Sequence, residues 1–323
     1  MSCPSRNQSL PQKNELHSII VPVFNSRATI EILVDRVSKV MDEARIQFEL
    51  VLVDDGSRDG SFEEIRQISK SKPFVRGFRL SRNFGHQAAL VIGLENSRGD
   101  FVAVIDDDLQ DPPEILPGFF RRLYEDHDVV YGIRRKRKEN FVKRFLYTVF
   151  YRILRILSNV EIPPHAGDFC VMKRCVVDAM LQLKEASPFL RGIRSWVGFK
   201  QIGVEYQRDA RYQGRPGYTY MKYFGFAVAG ILSFSYIPLR MATFFGILSA
   251  FIGFVFAAYV ILLWLLKSIE ISGYASLIVI ITFLGGAQLI TIGVLGEYLA
   301  RLSDNVRRWP VGVVAETTPE ESS

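Results

Sequence analysis

Two apolar runs near the C-terminus, 241–266 and 274–299, constrain what this chain can fold into more than any other feature of it. Each has roughly the ~20 residues that carry a helix across ~30 Å of hydrocarbon, and neither contains an arginine, lysine or aspartate. A helix in a soluble core rarely stays apolar on all faces for so long, so two buried core helices are the bland alternative and two membrane spans the expectation. The flanks orient them. Lys222 and Arg240 precede the first span and Arg301, Arg307 and Arg308 follow the second, whereas the connection KSIEISG has Lys267 balanced by Glu270. Basic residues stay on the cytoplasmic side, so both ends, and with them the large N-terminal part, are expected there, on a multi-pass protein of the inner (plasma) membrane. Gly285, Gly286, Gly293 and Gly296 would let another helix approach the second span closely, within the chain or between chains.

The net charge of +6 averages over two chemically different halves, so composition has meaning only by segment. The first 16 residues are polar and lack the basic start, apolar middle and cleavage site of a signal peptide, which predicts a disordered N-terminus. Cys3, Cys170 and Cys175 are odd in number and lack the spacing of a zinc site, and a reducing setting is the simplest reading. No nucleic-acid partner is expected.

From residue 17 short apolar segments alternate with amphipathic ones. HSIIVPVFN, FELVLVDDGS, VRGFRLS, FVAVIDDD and DVVYGIR read as strands, with helices around 28–43, 61–70, 85–96 and 114–124 between them. The strands are too apolar to have a solvated face, the mark of a mostly parallel sheet covered on both sides. Ligands of such sheets bind at the carboxyl ends of the strands. After Arg134 the regularity stops. The basic run RRKRK leads into FVKRFLYTVFYRILRILSNV, whose apolar residues recur at helical spacing. This helix, about 139–158, either lies at the bilayer surface or packs on the sheet with its basic residues solvated. The aromatic stretch 213–236 runs almost directly into the first span and reads as a second interfacial helix, and 301–323 reads as a cytoplasmic tail.

Two acidic clusters end two of the strands: Asp54 and Asp55 after FELVLV, and Asp106, Asp107 and Asp108 after FVAVI. Asp59 or Asp111 could be no more than a helix cap. Adjacent like charges require compensation, and carboxylate oxygens suit Mg²⁺ or Mn²⁺ carrying a diphosphate. In an extended segment Asp106, Asp108 and Gln110 share one face and Asp107 points away, so the first three are the expected metal ligands.

VPVFN, VLVDDGSRDGS, LSRNFGHQAAL, VIDDDLQDPPE and AGDFCVMKR, in this order, resemble the GT-A glycosyltransferases of family 2. The branch most similar is that of the polyprenyl-phosphate glycosyltransferases, which includes dolichyl-phosphate mannose synthase and the bacterial GtrB and ArnC enzymes; the two spans fit GtrB and ArnC. The resemblance implies a Rossmann-like α/β GT-A domain over 17–212, followed by interfacial helices and two transmembrane helices within 237–300. It also implies roles. Pro22, Phe24, Asn25, Asp54, Asp55, Ser57, Arg82, Asp106 and Asp107 would hold the nucleotide sugar, with Asp108 catalytic through the metal. Relatives often have Asn-Glu where this chain has Asn25 and Ser26, so a role for that glutamate does not carry over.

Gly167, Asp168 and Phe169 resemble the segment that bears the family's catalytic aspartate, placing Asp168 near the acceptor as base or as orienting group. A phosphate monoester is already largely ionised at neutral pH, which favours orientation; a helix cap before CVMKRCVV is the structural alternative. His86 and His165 each stand without a visible partner and read as structural. Arg134, Lys143, Arg144, Arg211, Arg215 and Lys222 are candidate clamps for a lipid phosphate, though the family's Gly-x-Ser-Lys wording is altered around Gly217 and Lys222.

The implied reaction is inverting transfer of a sugar, glucose first by resemblance, from UDP-glucose to undecaprenyl phosphate. Mannose or a modified arabinose are the alternatives. A homotetramer and a downstream flippase or transferase are further implied partners. A processive polysaccharide synthase would carry Gln-x-x-Arg-Trp, to which NVRRW at 305–309 is a poor match. A silent scaffold that only binds nucleotide or lipid would have no need of intact acidic clusters.

Overall fold

A computed structural model describes residues 15–134, 166–183, 185, 188–208, 237–266 and 274–319. Strands β1 (His17–Val23), β2 (Phe48–Asp54), β3 (Val75–Leu80) and β4 (Phe101–Val104) alternate with helices α1 (Arg27–Glu43), α2 (Ser61–Ser71) and α3 (His86–Asn96). A 3₁₀ turn (Pro113–Ile115), α4 (Leu116–Tyr124) and β5 (Val129–Arg134) complete the regular part, close to the expected boundaries. Every residue of β1 and β4 is buried, because helices cover both faces of the sheet. That is why these strands read as unbroken apolar runs.

The remainder departs from a mostly parallel sheet. The segment AGDFCVMK is neither loop nor helix cap but a strand, β6 (Ala166–Lys173), and α5 (Arg174–Leu181) begins only after it. Helix α6 (Leu190–Trp196) and strand β7 (Gln201–Tyr206) follow. The sheet order is β7-β5-β6-β4-β1-β2-β3-β8, where β8 is Val314–Thr317. Strand β6 runs antiparallel to both β4 and β5, and β8 antiparallel to β3, while β1, β2, β3 and β4 pair in parallel, as do β5 and β7. The sheet is therefore mixed. Because β6 runs against its neighbours, the N-terminal end of β6, with Asp168, meets the carboxyl ends of β4 and β5.

Helices α7 (Ile237–Leu265) and α8 (Tyr274–Arg307) contain the two apolar runs and lie alongside each other. Both are long and apolar enough to cross a membrane, and they expose large side chains such as Phe254, Leu289 and Ile290. Gly285, Gly286, Gly293 and Gly296 face open space and not the neighbouring helix. The second helix runs eight residues past the expected end at residue 299, and the segment read as a tail returns to the sheet as β8. Gly77 makes that return close: a Cβ there would lie 2.8 Å from the Thr318 side chain and 2.4 Å from Ile65. The Gly77 amide donates to Thr318 Oγ1 at 2.9 Å. Since β7 and β8 belong to one sheet, the chain that leaves after β7 returns to that same sheet at β8. The expected interfacial helices at 139–158 and 213–236 lie outside the described residues.

Candidate active site

The carboxyl ends of β1, β2 and β4 form one rim, and the two acidic clusters on it are balanced differently. At the end of β2, Asp55 accepts from the Phe84 amide at 2.7 Å and the Gly85 amide at 2.9 Å, while its own amide donates to the Val23 carbonyl. Asp54 accepts from the Ser57 amide at 3.2 Å, and the Arg79 guanidinium lies 3.7 Å away. Burial pushes both carboxyls above their usual range against these contacts. Gly56 has φ +68°, and a Cβ there would stand 2.6 Å from the Arg82 carbonyl carbon, so a side chain is excluded on two counts. The end of β2 is thereby stitched to the β3–α3 loop that carries Arg82, whose guanidinium stacks 4.1 Å over Phe84.

At the end of β1, the Asn25 amide donates to Ser57 Oγ at 2.9 Å and Asn25 Oδ1 accepts from the Arg58 amide at 3.1 Å. Asn25 takes φ 52°, a left-handed conformation that asparagine tolerates better than most residues. Phe24 is 48% exposed, the one large apolar side chain that this rim offers to solvent. An open groove of about 710 Å³ runs along Asn25, Ser26 and the start of α1 to Asp108.

After β4 the chain turns, with Leu109 at φ 59°. Asp107 is directed away from the other two: it accepts from the Phe24 amide at 3.2 Å. Asp106 Oδ2 and Asp108 Oδ2 converge, each 3.6 Å from Nη2 of Arg208. Asp106 and Asp108 thus share a direction that Asp107 does not, and a turn, not strand alternation, produces it. Gln110 donates its amide to Asp108 Oδ1 at 3.1 Å, and its side chain makes no described contact with the cluster. Asp111 is no helix cap. It is fully buried and accepts from the Tyr206 hydroxyl at 2.5 Å and from Arg208 Nε at 3.2 Å. Burial, reinforced by Asp111, Asp168 and Asp108 and opposed by His86, pushes Asp106 up to about 7.

Asp168 faces this cluster from β6. Arg191 on α6 grips it with two hydrogen bonds, Nε to Oδ1 at 2.8 Å and Nη2 to Oδ2 at 2.9 Å. Burial opposes its ionisation, but the Arg191 charge and the His86 and Arg191 hydrogen bonds outweigh burial and hold the carboxyl well below the usual carboxylate range. His86 Nε2 lies 3.5 Å from Asp168 and 3.7 Å from Asp106. Burial lowers its pKa, yet the two carboxylates prevail and raise it above the model-peptide value of 6.5. Arg134 at the end of β5 lies against Gly167.

Sequence reasoning missed His86, Arg191 and Arg208. His86 has partners, but they are 20 and 82 residues away along the chain. Arg208 was open to discovery by the strand-end rule, since it follows β7. Lys143, Arg144, His165, Arg211, Arg215 and Lys222 lie outside the described residues.

Two carboxylate oxygens converging on one cation position, with a buried Asp106 oxygen that has no hydrogen-bond partner, suit a hard divalent ion that keeps sites open for phosphate oxygens. Among the described residues no group of three His, Cys, Asp or Glu side chains is arranged to hold a metal by itself. An ion held there would need further ligands from outside this cluster.

A family model described as "Glycosyl transferase family 2" matches residues 18–181. An uncharacterized glycosyltransferase of Bacillus subtilis, YkcC, is 41% identical over 302 residues, 93% of this chain and 94% of its own length. A prophage bactoprenol glucosyl transferase homolog of Escherichia coli is 37% identical over 298 residues, 92% of this chain and 97% of its own length. The bactoprenol glucosyl transferase of Shigella phage SfII is also 37% identical, over 93% of this chain and 97% of its own.

Proposed function

The chain belongs to glycosyl transferase family 2, and from that premise we propose that it transfers glucose from UDP-glucose to undecaprenyl phosphate at the inner face of the plasma membrane. It is a glycosyltransferase with a GT-A domain. The acceptor follows from relatives named as bactoprenol glucosyl transferases along nearly their whole length. The observation that carries the chemistry is the convergence of Asp106 and Asp108 on one cation position 3.6 Å from each, beside the gripped carboxylate of Asp168.

In this reading Asp106 and Asp108, with Gln110 beside them, would hold Mg²⁺ or Mn²⁺, which would supply charge to neutralise the departing diphosphate. Pro22, Phe24, Asn25, Asp54, Ser57 and Arg82 line the nucleotide pocket. Asp55 and Asp107 serve it by fixing the loops around Phe84 and Phe24. An oxygen of the lipid phosphate attacks the anomeric carbon from the face opposite the diphosphate. The bond to the diphosphate breaks as the new one forms, and the configuration inverts. A carboxyl held ionised has little affinity for a proton, so Asp168 orients and does not act as base. It keeps Arg191 and His86 in place, and with Arg134 they form the positive wall that an acceptor phosphate needs. Lys143, Arg144, Arg211, Arg215 and Lys222 belong to the acceptor side of the proposal, as do a homotetramer and hand-over to a flippase or later transferase.

The test is transfer by the purified full chain, supplied with UDP-glucose, GDP-mannose or a UDP-arabinose derivative, undecaprenyl phosphate and Mg²⁺ or Mn²⁺. Lipid-linked glucose is expected, lost in Asp108→Asn. Preference for another donor would revise the sugar; unchanged transfer by Asp108→Asn would sink the site.

A further inference from the structure

Arg208 is, with His86, one of the cations that face the second acidic cluster in the protein itself. Its Nε is hydrogen-bonded to Asp111 Oδ1 at 3.2 Å, and Asp111 is in turn fixed by the Tyr206 hydroxyl. That anchors the base of the guanidinium. Its other end is held differently, because Nη2 stands 3.6 Å from both Asp106 Oδ2 and Asp108 Oδ2, beyond hydrogen-bond range. The side chain is 25% exposed, and this end is ion-paired to the two carboxylates without a hydrogen bond to either.

A divalent ion bound by the same two oxygens would sit at about 2.0–2.6 Å from them, inside the position of Nη2. A dication and a guanidinium so close repel strongly in a partly buried site. A diphosphate changes the balance, since its oxygens complete the metal's coordination and give the displaced guanidinium an anion to pair with. We propose that Arg208 is a resident counter-cation that keeps bare divalent metal off Asp106 and Asp108 and makes metal and nucleoside diphosphate bind in synergy. Arg208 is thus a positioning and gating residue. The donor loads as a metal complex, and the empty enzyme does not hold stray metal against its carboxylates. This inference rests on the metal-dependent donor site proposed above.

The experiment is a Mn²⁺ titration of the full chain in detergent, read by the electron paramagnetic resonance of free Mn²⁺, with and without UDP. In Arg208→Gln, Mn²⁺ alone should bind about tenfold more tightly than in wild type, and the gain in Mn²⁺ affinity on adding UDP should shrink by a similar factor. Arg208→Lys keeps the charge and should retain most of the synergy. Thermal melting with and without Mn²⁺ checks folding: without metal Arg208→Gln should melt lower than wild type, and Mn²⁺ should restore it. Unchanged or weaker binding of Mn²⁺ alone by Arg208→Gln overturns the inference, as does a Lys variant that behaves like Gln. If wild type binds no Mn²⁺ even with UDP, the metal-dependent donor site fails and this inference falls with it.

Discussion

The two acidic strand ends look alike in sequence and behave as opposites in the fold. At β2, both Asp55 oxygens accept from backbone amides, partners that cannot leave, and Asp54 combines the Ser57 amide with the Arg79 guanidinium 3.7 Å away. At β4, Asp106 and Asp108 face Arg208 and His86, side-chain cations at 3.6–3.7 Å that a ligand can displace. Backbone amides make an acid cluster part of the frame; exchangeable cations leave it available for chemistry. Asp168, gripped by a side chain but facing the cluster, stands between the two cases.

Substitutions can break this contrast. The largest effect is expected for Asp106→Asn, which should reduce glucose transfer by about 10²–10³-fold, while the melting temperature without metal stays at or above that of wild type. A fall in stability to match the activity would put Asp106 in the frame instead. Asp55→Ala and Gly56→Ala should behave in the opposite way, each costing about 2–4 kcal/mol through orphaned amides or a clash with Arg82, with activity lost in proportion to folded protein. Denaturant titration beside the transfer assay separates the two.

Asp168→Asn sharpens the intermediate case. Leaving Arg191 without its charged partner should cost about 2–3 kcal/mol near neutrality, less than a fully buried pair because Arg191 is one-third exposed. The sign follows from the depressed native pKa. The stabilisation is fully present above the unfolded-state value of about 3.9 and fades as pH falls through the native value, so wild type and variant should converge only in strong acid. Melting curves from pH 7 downward test this; convergence already at pH 5 contradicts it. The smallest effect is expected for Thr318→Ala, which removes the acceptor for the Gly77 amide at the far sheet edge and should cost about 1 kcal/mol, with transfer kinetics of the folded protein unchanged.

The sheet floor was legible because burial on both faces turns β1, β2 and β4 into apolar runs, and the strand-end rule then points to Asp54, Asp55 and Asp106 to Asp108. The two acid clusters could not be told apart, since the difference lies in what approaches from elsewhere: Phe84 and Gly85 amides in one case, Arg208 in the other. Arg191 gave no local signal at all. Its role comes from β6 running antiparallel, which no spacing near Gly167 announces. Strand β8 was missed because four residues after a long helix carry too little pattern to outweigh the reading of a tail.

That last strand sets an order of manufacture. Residues 314–317 leave the ribosome only after both apolar helices, so the edge of β3 stays bare until the membrane part has been made. The sheet is completed only after both of those helices have been synthesised. A version cut just after Arg208 would keep the acidic clusters, Asp168 and Arg208 and yet present an unpaired β3, the kind of edge along which polypeptides stack into aggregates.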